Sequence, residues 1–145
     1  MAMLVNPYLM FAGNCEAAFK HYEKALGGRI VELARFADAP EGAAPADKKI
    51  AKWVMHVRLE VGNNVIMGSD APSEHFEAPQ GMSVSINVDD PKRAEAIFAA
   101  LADGGRQTMP MAETFWARRF GMLVDRYGIP WMVNCQKNAP ADAKR

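Results

Sequence analysis

The sequence lacks the features that would mark a nucleic-acid-binding or membrane protein. Its 145 residues include 17 Lys and Arg and 17 Asp and Glu, so the formal net charge is zero. A neutral chain offers no electrostatic reason to expect nucleic acid or an anionic membrane surface as a partner. No apolar run approaches the roughly 20 residues that a membrane-spanning helix needs. The length suits one domain, and the low net charge makes self-association plausible.

Cysteine is also scarce, since Cys15 and Cys135 are the only two. Two cysteines are too few for a disulfide framework or for a cysteine-based zinc site. The N-terminus lacks the basic region of a secretory signal and reaches the polar Asn6 at once. We therefore expect two reduced thiols in a cytoplasmic protein.

The first half of the chain combines strand and helix patterns. Residues 6–11 are predicted as a strand, and Asn14 is predicted as the N-cap of the helix that follows. The apolar face of this helix is formed by Phe19, Tyr22 and Leu26. Gly27-Gly28 is expected to end the helix, because a left-handed residue is needed there. Residues 29–36 are predicted as a second strand.

A loop at 37–48 shows no periodic pattern, and loops of this length are often functional. Between Lys52 and Val61, apolar and polar residues alternate, which predicts a half-buried strand. One face would carry Trp53, Met55, Val57, Leu59 and Val61, and the other Lys52, Val54, His56, Arg58 and Glu60. A tight turn and a returning strand from Val65 complete the unit.

The second half repeats this order of elements. A strand at 82–88 precedes a helix that is capped by Asp90, begins with Pro91 and ends at Gly104-Gly105. Three further strands are predicted near 106–111, 120–125 and 129–135, with a turn at 125–128 between the last two. The chain therefore divides into a module at 1–72, a second module at 80–136 and a polar tail at 137–145. Two copies are too few for a solenoid, so we expect two similar halves.

This pattern resembles the vicinal oxygen chelate superfamily, which includes glyoxalase I, extradiol dioxygenases and the bleomycin- and fosfomycin-resistance proteins. Within it, the chain is similar to the PhnB-like branch, which is sometimes labelled 3-demethylubiquinone 3-methyltransferase. The similar stretches span nearly the whole chain and include Pro7-Tyr8-Leu9, Met55-His56-Val57, Met67-Gly68-Ser69-Asp70, Ser85-Ile86-Asn87-Val88-Asp89-Asp90, Glu113-Thr114-Phe115-Trp116, Arg119-Phe120-Gly121 and Asp125-x-x-Gly128-Ile129-Pro130-Trp131.

The resemblance implies an α+β fold. Two tandem βαβββ modules would form a curved, mixed-sheet cup with the helices on its convex side, and the protein would form a homodimer. The methyltransferase label finds no support in the residues, because no glycine-rich loop of the kind used by adenosyl-cofactor folds follows the first strand. The scaffold alone does not define an activity, since one fold supports many chemistries.

The resemblance also allows a test for a metal centre. Metal-dependent members place His and Glu or Gln on the first, fourth, fifth and eighth strands. Those points fall here near Asn6, Pro7 or Tyr8, and at Met67, Ser83 and Met132. None of these side chains is a histidine or a carboxylate, and a thioether does not suit Mg, Mn or Fe(II). We therefore expect no metal and no cofactor. A divalent ion held by unfamiliar ligands is the alternative.

Among the three histidines, His56 is the candidate for function. If Val57 and Leu59 face the helix, His56 faces the cup, where it could be a general base or a ligand-binding group. It could equally be satisfied by a backbone carbonyl. The remaining pocket is predicted to consist of Tyr8, Met67, Ser83, Ser85, Trp116, Met132 and Asn134, with loop 37–48 as a lid.

Three further residues have two interpretations each. Arg119 could clamp an anion with its planar guanidinium group, or could form a structural bridge to Glu113 or Asp125. Trp116 could stack on a ligand, or could lie in the core or a dimer interface. Cys15 lies in the first turn of a helix, where the dipole lowers a thiol pKa, or is a small packing residue.

The function predicted from the sequence is metal-free binding of a small, possibly anionic, molecule in an apolar cup. The first alternative is an enzyme, a lyase, isomerase or oxygenase, that uses His56 as base and Arg119 as anion clamp. The second is a structural dimer that binds no ligand. We expect neither nucleic acid nor a membrane as partner.

Overall fold

A computed structural model describes residues 2–40, 48–72 and 74–137. The chain divides into two compact units, Met1–Ala78 and Pro79–Arg145. The part of the predicted lid at 41–47, and the tail beyond Lys137, lie outside the described residues. Within the described ranges, no helix is long and apolar enough to cross a membrane.

The first unit is a four-stranded sheet with one long helix. In chain order it consists of β1 (Tyr8–Phe11), α1 (Cys15–Leu26), β2 (Arg29–Arg35), a 3₁₀ turn (Phe36–Asp38), β3 (Val54–Val61) and β4 (Asn64–Asp70). The strand order is β1-β4-β3-β2. β1 pairs with β4 in parallel, and the other pairs are antiparallel.

The second unit has the same topology. It consists of β5 (Val84–Val88), α2 (Pro91–Ala102), β6 (Arg106–Ala112), β7 (Ala117–Val124) and β8 (Pro130–Gln136), in the strand order β5-β8-β7-β6. Only β5 and β8 are parallel. The predicted fold class, with two βαβββ modules, is confirmed.

Each helix covers one face of its own sheet. In the first unit, Phe19 and Tyr22 of α1 are buried together with Val57 and Leu59 of β3. Gly68 of β4 permits this close packing, because a Cβ atom there would lie 2.6 Å from Cε1 of Phe19. In the second unit, the buried side chains of α2 are Ala94, Ile97, Phe98 and Leu101, and those of β8 are Trp131, Val133 and Cys135.

The start of α1 differs from the prediction. The Asn14 side chain makes no capping hydrogen bond. Instead, Oδ1 of Asp70, at the end of β4, accepts hydrogen bonds from the backbone N–H groups of Gly13 and Cys15 at 2.8 and 3.0 Å. The cap is thus supplied by a residue more than 50 positions away, which local pattern reading cannot find. The predicted end of the helix is correct, since Gly27 has φ +70°.

The predicted alternation along β3 is broken at its start. The register with β2 shifts between the pairs Ala34–His56 and Arg35–Val54, so Met55 forms a bulge. As a result Val54 is buried, which contradicts its predicted position on the polar face. From His56 onward the alternation holds, and His56 lies on the sheet face opposite Val57 and α1.

Candidate functional site

The site predicted from the sequence draws residues from both units. Those that lie in the strands, with the exception of Arg119, are on the sheet face away from the helix of their own unit. We call the face of β1, β4, β3 and β2 opposite α1 the first open face, and the face of β5, β8, β7 and β6 opposite α2 the second open face.

Tyr8, His56 and Met67 all lie on the first open face. Tyr8 is paired in register with Met67, which is paired with Arg58 on β3. Oη of Tyr8 lies 3.2 Å from Nδ1 of His56, and the two rings are stacked with centroids 5.9 Å apart. The structure therefore places the hydroxyl of Tyr8 next to the predicted base His56. The sequence analysis did not predict this contact.

A carboxylate completes this arrangement. Oε2 of Glu32, on β2, lies 3.5 Å from Nε2 of His56. When the Nε2–H group donates towards this carboxylate, Nδ1 can accept a hydrogen bond from the Tyr8 hydroxyl. A carboxylate that orients an imidazole in this way is found in catalytic sites in which a third group positions the base. Sequence reasoning missed Glu32, because its place on this face, paired with Arg58 and next to His56, depends on the register shift at Val31.

A cation also lies on the first open face. Arg58 is half-exposed, and its Nε atom is 3.7 Å from the carboxylate of Glu60. At this distance and exposure the ion pair is weak, so the guanidinium remains available to an anion. Its placement follows from the alternation that puts His56 and Arg58 on the same side of β3.

The second open face carries rows of side chains that cross the strands. One row runs through Ser85, Met132, Met122 and Met109, and the next through Asn87, Asn134, Phe120 and Ala112. The predicted residues Ser85, Met132 and Asn134 are thus brought together. Met122 and Phe120 were not predicted, although the strand alternation of β7 would have placed them on this face.

A shallow depression of about 480 Å³ lies in this unit, lined by Gly81, Met82, Ser83, Thr108, Met122, Leu123, Val124, Pro130 and Met132. Its surface is mainly apolar. In the part of the chain that the structure describes, the only side-chain hydroxyls in the lining are those of Ser83 and Thr108, and no charged side chain contributes. Of the predicted residues, Ser83 and Met132 belong to it.

Arg119 does not lie on the second open face. Its guanidinium forms an ion pair with Glu95 of α2, and it also donates to the carbonyl of Met111 at 3.4 Å. It follows that Arg119 is directed towards the helix side of the sheet. The structural bridge that we considered is present, but its partner is Glu95.

The two partners considered for Arg119 have other roles. Glu113 forms an ion pair with Lys137 at 2.9 Å, and this cation lowers the pKa of the Glu113 carboxyl. Asp125 is buried in the last hairpin, where its carboxylate accepts from the backbone N–H groups of Tyr127 and Ile129 and from Nε1 of Trp131.

Trp116 lies just before β7 and is 42% exposed. Its ring meets those of Phe115 and Phe120 edge to face, with centroids 4.8 and 5.3 Å away. Contact with Phe120 places it beside the second open face.

Cys15 is fully buried, and burial raises the pKa of its thiol far above the usual range, with a further contribution from Asp70. This is the opposite of the shift that a helix N-terminus produces. The packing role is therefore correct. Across the described ranges, no three His, Cys, Asp or Glu side chains are grouped so that they could hold a metal ion.

The architecture places the protein among the glyoxalase/bleomycin-resistance folds. FosX, a fosfomycin-resistance protein from Listeria monocytogenes solved with Mn(II) and 1S,2S-dihydroxypropylphosphonic acid, matches with a TM-score of 0.65 at 8% identity over 95% of each chain. At this identity the likeness shows the fold alone.

A family model described as 3-demethylubiquinone-9 3-methyltransferase matches residues 4–134. The chain therefore belongs to this family. The structure of protein PA1353 from Pseudomonas aeruginosa is 44% identical, with a TM-score of 0.86 over 94% of this chain and 100% of that one.

Two further relatives span almost the whole chain. Protein YjdN from Escherichia coli is 30% identical over 95% of this chain and 99% of its own. A PhnB protein from Bacillus cereus, described as a putative 3-demethylubiquinone-9 3-methyltransferase, is 24% identical, with a TM-score of 0.76 over 92% of this chain and 99% of that one.

Proposed function

We propose that the protein binds a small, mainly apolar, uncharged molecule in the depression on the second open face, without a divalent ion of the superfamily type. The observation that carries the proposal is the lining of that depression. Methionine side chains are flexible and polarizable, so Met82, Met122 and Met132 can adapt to an apolar ligand. The hydroxyls of Ser83 and Thr108 supply the few polar contacts that such sites use for orientation.

The volume and charge of the depression define the ligand class. About 480 Å³ lies within the range of small-molecule sites, roughly 300–1,000 Å³. We expected a possibly anionic ligand because of Arg119, but that guanidinium is paired with Glu95. With no charged side chain in the described lining, an anion would lose its hydration without compensation. A neutral ligand is therefore favoured.

The metal-free part of the proposal is supported by donor chemistry. The family-equivalent positions carry the thioethers of Met67 and Met132 and the hydroxyl of Ser83. Hard ions such as Mg²⁺ and Mn²⁺ prefer carboxylate, carbonyl and water ligands, so this donor set does not fit them. The homodimer and the cytoplasmic location stay predictions.

Titration with 1-methylindole, a neutral apolar probe, tests the proposed binding. In protein labelled with ¹³C at the methionine methyl groups, we expect the signals of Met122 and Met132 to shift and that of Met55 in the first unit to stay. Met132→Lys should weaken binding at least about tenfold, because the ammonium must be desolvated next to the probe.

Met3→Lys is the matched control, since Met3 is 88% exposed and remote from the depression in sequence. It should bind the probe as the wild type does. Equal affinities for the wild type and Met132→Lys, or shifts that spare Met122 and Met132, would rule out this site. A stoichiometric divalent ion in protein purified without chelator would contradict the metal-free part.

A second candidate function is supported by the Tyr8–His56–Glu32 arrangement. An imidazole oriented by a carboxylate is suited to act as general base, and Arg58 on the same face could hold the carboxylate of a substrate. The reaction would be removal of a proton next to a carbonyl. The C–H electron pair would form the enolate, and the proton would pass to Nδ1 of His56, where it replaces the hydrogen bond from the Tyr8 hydroxyl.

Deuterium incorporation into the methyl group of pyruvate in D₂O tests this activity by ¹H NMR. We expect exchange above the buffer rate, and a loss of about 10²–10⁴-fold in His56→Gln, as is typical of a removed general base. His75→Gln, in the segment between β4 and β5, is the control and should exchange at the wild-type rate. Equal rates for the wild type and His56→Gln would exclude this second function.

A further inference from the structure

We propose that Asn134 forms a hydrogen-bonding subsite on the second open face, which selects ligands that carry an N–H or O–H donor on a planar apolar body. This inference rests on the proposed function, because it specifies the ligand class of the same face. It depends on a separate observation, the unsatisfied carbonyl oxygen of the Asn134 side chain.

Three polar side chains form a ladder across β5 and β8. Nδ2 of Asn134 donates to Oδ1 of Asn87 at 3.2 Å, and Nδ2 of Asn87 donates to Oγ of Ser85 at 3.4 Å. The pairing of Asn87 with Asn134 in the parallel register of β5 and β8 holds the two amides together. All donors therefore point in the same direction, from Asn134 through Asn87 to Ser85. The side-chain oxygen of Asn134 takes no part in the ladder.

The side-chain oxygen of Asn134 accepts no hydrogen bond from the described residues. Oδ1 of Asn134 is shielded from solvent, and no group within residues 2–40, 48–72 and 74–137 donates to it. A buried acceptor without a partner is costly, and native proteins generally satisfy such atoms. A ligand donor at this atom would complete the ladder, since an amide oxygen accepts but cannot donate.

The surroundings of Asn134 indicate what the donor would be attached to. Asn134 is paired in register with Phe120 of β7, whose ring meets that of Trp116. We call these two rings the aromatic shelf. The neighbouring row holds Met132 and Met122, which line the depression. Aromatic rings and thioethers both make favourable contacts with planar rings, so a neutral aromatic compound with an N–H or O–H group fits this combination.

Indole and 1-methylindole are the probes, because they differ by replacement of the only donor with a methyl group. Calorimetric titration of the wild type should show about tenfold tighter binding of indole, the effect of one hydrogen bond to a buried acceptor. Asn134→Leu should abolish this preference and leave the affinity for 1-methylindole unchanged. Asn64→Leu makes the same chemical change in the exposed β3–β4 hairpin and should retain the tenfold preference.

Two further measurements separate recognition from a structural role. Asn134→Leu removes an unsatisfied oxygen, and the donor that Asn87 loses can be replaced by water because Asn87 is exposed. The urea midpoint should therefore not fall below that of the wild type, whereas a structural asparagine would show a loss. Trp116→Ala should weaken both probes about threefold to tenfold and leave their ratio intact.

A wild-type preference near one, or a preference retained in Asn134→Leu, would overturn the subsite; the former result is also expected if a single trapped water satisfies Oδ1. In both cases, binding of 1-methylindole with shifts of Met122 and Met132 would still support the proposed function. If neither probe binds, both proposals fail.

Discussion

Asp70→Ala is expected to lower the free energy of unfolding by about 3–5 kcal/mol. The Asp70 side chain is 3% exposed and accepts three hydrogen bonds, from the backbone N–H groups of Gly13, Cys15 and Val54. Alanine would leave these donors without their acceptor at a site where water cannot replace it, and each such group costs about 1–3 kcal/mol. Urea unfolding followed by circular dichroism measures the loss.

Asp90→Ala provides the comparison, because the exposed Asp90 side chain also caps a helix but accepts, among the described residues, one hydrogen bond, from the backbone N–H of Lys92. A helix cap of this kind contributes about 1 kcal/mol. Similar losses for the two variants would mean that Asp70 acts only as a helix cap and does not also hold the start of β3.

Trp131→Ala is expected to cost about 3–5 kcal/mol, as is typical of a large side chain removed from a core. Trp131 is completely buried in the second unit, and its Nε1–H donates to Asp125 at 2.8 Å. The variant would create a cavity and also remove the donor from a buried carboxylate. The free energy of unfolding in urea is again the measurement.

Two variants define the origin of this loss. Trp131→Phe retains most of the apolar volume and should lose less than the alanine variant. Phe115→Ala removes an aromatic side chain that is 88% exposed, and should change stability by no more than about 0.5 kcal/mol. A loss in Trp131→Ala no larger than that in Phe115→Ala would contradict the buried position of the indole.

The candidate site shows which predictions survive without tertiary information. His56 and Met132 lie on the expected sheet faces, because side chains alternate strictly along a regular strand. Arg119 follows the same alternation, since it pairs with the buried Cys135 and faces α2. The limit of that reasoning is its partner, because no strand pattern connects the guanidinium with Glu95 on α2.

The same limit applies to the contacts that define the proposals. Glu32 meets His56 because a bulge at Val31 in the β2–β3 ladder puts Glu32 on the first open face, paired with Arg58. The side-chain oxygen of Asn134 lacks a donor in the described part of the chain, and this follows from the direction of the hydrogen bonds through Asn87 and Ser85. Neither the bulge nor this direction has a sequence signal, since both depend on the pairing of residues far apart in the chain.

By itself, the sequence determined the order of elements, their repetition in two modules and the buried face of each helix. These features follow from local periodicity and from residues that end or begin a helix, such as Gly27 and Pro91. Both signals act within a few residues. Only the tertiary structure decided that Asp70 caps α1, that Arg119 faces Glu95 and that Oδ1 of Asn134 has no donor among the described residues. These contacts join residues that are 24 to 55 positions apart in the chain, and Asn134 and Asn87 are 47 positions apart. They become defined only when the strand register is fixed.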